Sequence, residues 1–155
     1  MPTYKTIAPA VKLALKNALA ARGGLTGVTV SYGSPLVPGA PPGEYVELAG
    51  IRHEQEAATA SYSAGGPRHV EERFELDLWV SSTRKGDPDH QVATERAYAL
   101  AAEVEDAIRA DLTVGGSIVN GWAGVVALEL AELGPSDQGV RESLIKVTVA
   151  VRARI

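Results

Sequence analysis

The chain has 155 residues, a length that fits one domain with an ordinary core. Its hydrophobic fraction is 45% but its aromatic fraction only 5%, so the expected core is thin in large side chains and neighbouring subunits are candidates to complete it. The formal net charge of -4 argues against a general nucleic-acid binder, and the absence of cysteine excludes disulfides, thiolate catalysis and cysteine-based zinc sites.

The first predicted element is an amphipathic helix. Thr6 is suited to its N-cap, Pro9 falls in its first turn, Arg22 in its last, and Gly23-Gly24 stops it. This pattern indicates a helix that packs on a sheet, with a membrane-surface helix as the alternative. The apolar stripe consists of Ile7, Val11, Ala14, Leu15 and Ala18, with Lys12 and Lys16 opposite.

A short strand at residues 28–32 precedes a proline-rich loop at 33–43. Four prolines in that loop forbid both helix and central strand, so we expect a surface loop of fixed shape. The alternative, a ligand for a proline-binding domain, lacks basic flanks. Residues 44–48 form the next predicted strand. Turn residues at 63–67 then favour a long hairpin that folds residues 52–58 back onto the following strand.

The central predicted strand covers residues 70–82 and alternates strictly. From Glu72 onward, the even-numbered residues Glu72, Phe74, Leu76, Leu78 and Val80 point one way, and Arg73, Glu75, Asp77 and Trp79 point the other. A period of two is typical of a strand with one face on a core. The pattern therefore predicts that Leu76 and Leu78 lie beneath the helices, whereas Glu75 and Asp77 lie in solvent.

A second helix follows, from about Pro88 to Asp111. Asp87 is the predicted N-cap, with Pro88 at the first helical position and Asp89 complementing the dipole. Residues 115–121 turn the chain, and strands at 124–133 and 141–155 complete it. The predicted buried stripe of the helix is Ala93, Ala97, Leu100, Ala101, Val104, Ile108 and Leu112.

Two helices cannot cover both faces of such a sheet, so they should lie on one side. The predicted fold is α+β, a mostly antiparallel sheet with two helices packed on one face, in a single domain spanning residues 1–155. Trp79 on the uncovered face indicates either a contact surface or a locally packed side chain. The predicted uncovered face carries Arg73, Glu75, Asp77, Trp79, Thr148 and Arg152.

No motif indicates catalysis. His53, His69 and His90 are too far apart in sequence for an i,i+4 metal pair, and a helix start explains the aspartates beside His90. Nearby Arg73 explains the acidic pair Glu75 and Asp77. The glycine-rich turn at 115–121 lacks nucleotide-binding signatures. We therefore expect no enzyme activity, cofactor or metal. With no apolar run near 18 residues and no signal-peptide pattern, we also expect a soluble protein with no membrane partner.

Across nearly its whole length the chain resembles the tail terminator (tail completion) proteins of long-tailed bacteriophages. The resemblance lies in the N-terminal helix, the proline-glycine loop, EYVELAGI at 44–51, EQE at 54–56 and EERFELDLWV at 71–80. A short Gly-Asp loop, an Ala/Glu-rich helix at 91–111 and a valine-rich last strand complete it. The resemblance is based on the order of the predicted elements and on their residue composition, and not on an invariant motif.

The resemblance implies a virion protein, assembled in the host cytoplasm, that forms a six-membered ring at the head-proximal end of the tail tube. There it would stop tube growth and dock the head–neck connector, while DNA passes through the lumen without specific binding. It also implies no enzymatic activity. The alternatives are another neck or head–tail connector ring protein, or a small bacterial ligand-binding α+β domain or enzyme. Candidate contacts with other subunits or with the tail tube are the loops at 33–43 and 81–87 and the residues Arg73, Glu75, Asp77, Trp79, Arg84, Lys85, Arg152 and Arg154.

Overall fold

In the part of the chain that the structure describes, five strands form one sheet, and two helices lie against one of its faces. The computed structural model describes residues 6–33, 43–54 and 71–154. The proline-rich loop at 34–42 and the predicted hairpin turn at 63–67 lie outside these residues. In chain order the elements are α1 (Ala8–Ala20), a 3-10 helix (Gly23–Leu25), β1 (Thr29–Ser31), β2 (Glu44–His53), β3 (Glu71–Lys85), α2 (Gln91–Ala110), β4 (Trp122–Leu133) and β5 (Val140–Arg154).

The strand order in the sheet is β1-β2-β3-β5-β4. Short β1 runs parallel to β2, and the other three pairings are antiparallel. The predicted α+β class, with a mostly antiparallel sheet and helices on one face, is thus confirmed. The predicted hairpin is confirmed as far as His53, since Arg52 and His53 pair antiparallel with Glu75 and Phe74, and residues 55–58 lie outside the described residues.

The core lies between the sheet and the two helices. Leu76 and Leu78 of β3 are fully buried there, as the alternation predicts. Strand β5 repeats the pattern beside β3, because its odd-numbered residues pair with the even-numbered, inward-facing residues of β3. The largest fully buried side chains are Phe74, Leu15, Leu19, Leu48, Leu76, Leu78, Leu100, Ile108, Ile145, Val11, Val46 and Val80.

The first helix begins differently from the prediction. Its N-cap is Ile7, and this residue makes no side-chain cap. Instead the Glu72 carboxylate, on β3, accepts the Ile7 N–H at 3.0 Å. Thr6 contributes next to the cap, since its Oγ1 accepts the Ala8 N–H at 3.1 Å. The helix N-terminus is therefore tied to β3, through a pairing that local sequence does not contain.

The second helix also begins later than predicted, at Gln91, with His90 as N-cap in a left-handed conformation (φ 67). Asp87 is thus not the N-cap, and Pro88 lies before the helix. However, the Asp87 Oδ2 atom still accepts the Ala93 N–H at 3.0 Å. Asp87 thus binds an N–H of the first helical turn from three residues before the N-cap, which the prediction of Asp87 as the N-cap does not describe.

Several element ends differ from the sequence reading. Leu112, predicted in the buried stripe of α2, lies beyond the end of the helix and is exposed. Arg22, predicted in the last turn of α1, lies after that helix as well. Strand β2 continues to His53 through an irregularity between Leu48 and Ile51. Strand β3 continues to Lys85 because β5 pairs with it to that point.

Candidate interaction surface

The sheet face opposite the helices, called the open face below, collects most of the predicted contact residues. On β3 and β5 it is defined by the odd-numbered residues of β3 and the even-numbered residues of β5. Across these strands Asp77 lies opposite Thr148, and Trp79 opposite Lys146. The predicted residues on the open face are Arg73, Glu75, Asp77, Trp79, Lys85, Arg152 and Arg154. Arg84 is not among them.

The middle of the open face is an ion-pair cluster around Asp77. Arg52 of β2 donates to Asp77 and, at 2.8 Å, to Glu75. Thr148 Oγ1 donates to Asp77 Oδ1 at 3.1 Å. Asp77 is only 8% exposed, which corrects the expectation that it lies in solvent. The cause is the neighbouring strands, whose Arg52 and Thr148 side chains cover it.

This cluster keeps Asp77 ionised. Burial by itself would raise the pKa of the Asp77 carboxyl, because a charge loses its hydration there. The hydrogen bonds from Arg52 and Thr148 outweigh burial and hold that pKa below its ordinary value. Asp77 is therefore a structural anion with matched partners and is poorly placed to exchange protons with a substrate.

One end of the open face is basic. Arg73 lies opposite Arg152 in the β3–β5 register, and Arg154 lies opposite Glu71. Arg73 Nε donates to Glu71 Oε1 at 3.0 Å, and this bond holds the pKa of the exposed Glu71 below its ordinary value. Arg152 lies 5.9 Å from the ring centroid of Trp122. The predicted residues at this end thus form one contiguous group.

Arg84 faces the helices, because it has the same parity on β3 as the buried leucines. Its Nη2 donates to Glu44 Oε1 at 2.7 Å, and Arg96 of α2 donates to the same carboxylate at 3.1 Å. The Arg96 bond is the largest cause of the lowered pKa of Glu44, and the Arg84 bond adds to it against the effect of burial. The predicted charged loop at 81–87 is therefore partly strand, and its arginine is already paired.

The predicted residues do not form one site. Lys85 is exposed at the far end of β3. At roughly 3.3 Å per residue, it lies about 40 Å along the strand from Arg73. The sequence correctly identifies polar outward positions, but it does not show that they divide into a basic end, a buried central cluster and an isolated lysine.

The histidines have structural surroundings. His90 Nδ1 accepts a hydrogen bond from Arg141 at 3.1 Å, so Nε2 carries the proton and donates to the Leu133 carbonyl at 3.0 Å. His53 lies against Phe74, with ring centroids 5.7 Å apart. His69 is outside the described residues. Within the described ranges, no three His, Asp or Glu side chains are grouped to hold a metal ion. No described helix is both long and apolar enough to cross a bilayer.

Sequence reasoning missed two features. Arg52, the central cation of the open face, is not among the candidate contact residues of the sequence analysis. The other feature is an exposed apolar row in β4, where Val126, Leu128, Leu130 and Leu133 all reach solvent. A signal for this row was present: apolar residues at both odd and even positions of a strand exceed what one buried face can use.

Comparisons with known proteins bear on the fold. No protein-family model matches the sequence, and no curated protein matches it either. Among solved structures, the fold is similar to that of a chain in a structure described as "Virion of native gene transfer agent (GTA) particle". The TM-score is 0.58 at 23% sequence identity, and the match covers 99% of this chain and 100% of that one. This likeness shows a shared fold along the whole chain.

Proposed function

We propose that this protein is a structural subunit of a phage-like virion. The supporting observation is the end-to-end fold match with a chain of a gene transfer agent virion. Coverage of both chains is nearly complete, so the two share a whole subunit fold and not a common sub-motif. The resemblance to phage tail terminators, drawn from sequence texture, points to the same class of particle.

Within that class we propose the role of tail terminator. The chain forms a ring, a hexamer by the family resemblance, on the head-proximal end of the tail tube. One flat side of the ring contacts the tube protein and ends its polymerisation, and the other receives the head–neck connector. All subunits of a ring point the same way, so its two flat sides differ and can bind different partners.

The chemistry of the open face supports a docking role over catalysis. Glu75 and Asp77 are both bound by Arg52, and Asp77 is held as a carboxylate. Such pairing leaves neither group as a free acid or base. The net charge of -4, repeated around a ring, also suits a lumen through which DNA passes without being held. We therefore propose a protein with no enzymatic activity or cofactor.

Deletion of the gene from a particle-producing strain tests this role. We expect tails of uncontrolled length that do not join heads, measured in electron micrographs. Purified protein added back should bind tube ends and not tube sides, and a wild-type gene supplied in trans is the matched control. Tails of normal length joined to heads would refute the proposal. Tails of normal length that stay separate from heads would instead identify a neck connector.

A further inference from the structure

Strand β4 extends past the cover of the helices. From residue 126 to its end at Leu133 every residue is exposed, on both faces of the strand. Leu128 and Leu130 lie opposite the buried Val147 and Ile145 of β5, so they point to the helix side, but the helices leave them partly exposed. The exposed fractions of Val126, Leu128, Leu130 and Leu133 range from 36% to 55%. We call residues 126–133 the β4 edge.

This edge lacks the usual protection of an outer strand. Strand β4 pairs with β5 on one side, and no described strand pairs with its other side. Edge strands commonly carry lysine, proline or a bulge that prevents pairing with another chain. The β4 sequence contains neither lysine nor proline, and its only irregularity, between Val125 and Ala127, involves only the first residue of the apolar row, so residues 127–133 pair regularly with β5. The outer side of β4 is therefore open to a partner.

The charge of the β4 edge is purely acidic. Glu129 and Glu132 are the only charged residues of β4, and both are exposed. Glu129 contacts Lys146 at 3.4 Å, and Thr94 donates to Glu132 at 2.9 Å. Two β4 edges paired with each other would bring the four carboxylates of two copies together. Like charges at such a contact oppose association, so self-pairing of this edge is disfavoured.

The opposite end of the sheet carries basic and exposed apolar residues, which complement the acidic and apolar residues of the β4 edge. Helix α1 contains Lys12 and Lys16 and no acidic residue. Beside them Leu13 and Tyr32 are exposed, and Lys12 Nζ lies 4.3 Å from the centroid of the Tyr32 ring. Burial lowers the pKa of Lys12, although Glu47 acts in the opposite direction. We call Lys12, Leu13, Lys16 and Tyr32 the α1 edge.

We propose that the β4 edge of one copy binds the α1 edge of the next copy. Strand order places β1 and its neighbour α1 at one end of the sheet and β4 at the other. A contact between two different ends is heterologous, so each copy has one free end of each kind until the chain of copies closes into a ring. The inference rests on the proposed function only because it takes a second copy of the chain as the partner. Beyond that function, it names the two surfaces through which neighbouring copies bind.

This arrangement gives separate roles to the two kinds of surface. Apolar contact through Leu128 and Leu130 against Leu13 excludes water, and the acidic and basic side chains around it fix the direction of the contact. The basic end of the open face, away from Glu129, then stays free for other proteins. Contacts between the β4 edge and the α1 edge hold the ring together. The candidate residues at the basic end of the open face then bind other proteins.

Cross-linking between introduced cysteines tests the contact directly, because the natural chain has none. We expect the double variant Leu13→Cys with Leu128→Cys, treated with a short bis-maleimide, to give a ladder of covalent multimers. Each single variant should stay largely monomeric, because a heterologous contact does not bring two copies of the same residue together. The matched control is Leu13→Cys with Ala102→Cys, since Ala102 is exposed on α2 and outside both edges. A ladder in the control, none in the test variant, or efficient dimers from Leu128→Cys alone would overturn the proposal.

Charge reversal provides an independent test by sedimentation equilibrium. We expect Lys16→Glu and Glu129→Lys each to weaken self-association by about tenfold, and the chain carrying both changes to recover most of it. Thermal melts of each variant verify that the subunit is folded. Failure of the double variant to recover, or a wild-type chain that stays monomeric at every concentration, would contradict the contact. If the protein caps tube ends but does not form this contact, the contact is refuted and the proposed function stands. If the protein forms the contact but does not cap tube ends, the proposed function is refuted and the contact stands.

Discussion

Strands β3 and β4 have the same neighbour, β5, but opposite surroundings. In β3, with 15 residues, Leu76 and Leu78 are fully buried beneath the helices. In β4, with 12 residues, Leu128 and Leu130 occupy the equivalent side of the sheet and are exposed. Two helices thus cover the centre of one face and not its full width. The comparison shows that an inward-pointing apolar residue is buried only where the second layer reaches it.

The largest expected difference between the strands is in stability. Leu78→Ala should lower the free energy of unfolding by about 2–5 kcal/mol, because it leaves a cavity in a closed core. Leu128→Ala should cost less than about 1 kcal/mol in the isolated subunit, where the side chain already meets water. Urea unfolding at a concentration where the chain is monomeric measures both. Equal losses would show that the helical layer does extend over β4.

The turn that leads into β4 provides the next comparison. A Cβ atom added at Gly121 would lie 1.9 Å from the Arg152 carbonyl oxygen of β5, so the backbones must move apart. We expect Gly121→Ala to cost about 1–3 kcal/mol. The matched control is Gly50→Ala in β2, where an added Cβ meets nothing within 4 Å. Similar melting temperatures for the two variants would mean that β4 is not fixed against β5 at its start.

The cluster at Asp77 separates a buried from an exposed carboxylate on the same strand face. Asp77→Ala should cost about 1–3 kcal/mol, since Thr148 and Arg52 lose their acceptor. Glu75→Ala should cost less than about 1 kcal/mol, because its bond with Arg52 lies in contact with solvent. Chemical denaturation at pH 7 measures both. If Glu75→Ala lowers the free energy of unfolding more than Asp77→Ala does, Asp77 is not the main acceptor of the cluster.

The same cluster predicts a pH dependence. The pKa of folded Asp77 lies below its unfolded value of about 3.9, so its contribution is complete above that pH and is lost as pH falls through the folded pKa. The stability difference between wild type and Asp77→Asn should therefore be constant from pH 7 to about pH 5 and shrink below about pH 4. A difference that grows on acidification would contradict the sign of the shift.

Much of the fold could be predicted from sequence because period-two alternation is a local signal. It correctly places Leu76 and Leu78 inside, and it correctly places Thr148 and Arg152 on the same sheet face as Arg73. Local patterns do not contain distant partners. The capping of Ile7 by Glu72, and the delayed start of α2 at Gln91, depend on residues brought together by the fold.

The candidate surface could be predicted only in part, for the same reason. Alternation identified Arg73, Trp79 and Arg152 as outward residues, and the structure places them on one face. It also treated Asp77 as solvated, because sequence does not show that Arg52 and Thr148 flank it from two other strands. The β4 sequence shows a surplus of apolar residues, but the limits of helix cover depend on packing in three dimensions, so β4 alone does not show that Leu128 and Leu130 are the exposed ones.

The smallest expected effect on stability tests the proposed docking role. Arg84 and Lys85 are adjacent, but only Arg84 is paired with Glu44. Arg84→Glu should cost about 1 kcal/mol, because it places a second carboxylate beside Glu44. Lys85→Glu should stay within about 0.5 kcal/mol of wild type, because the side chain is exposed at the end of β3.

Lys85→Glu therefore tests contact with the tail tube without a change in stability. We expect a normal melting temperature and normal self-association, but weaker binding to tail-tube ends in a pelleting assay. Glu105→Lys on α2, far from this strand end, is the control. If Lys85→Glu binds tube ends as well as that control does, this end of the open face does not contact the tube.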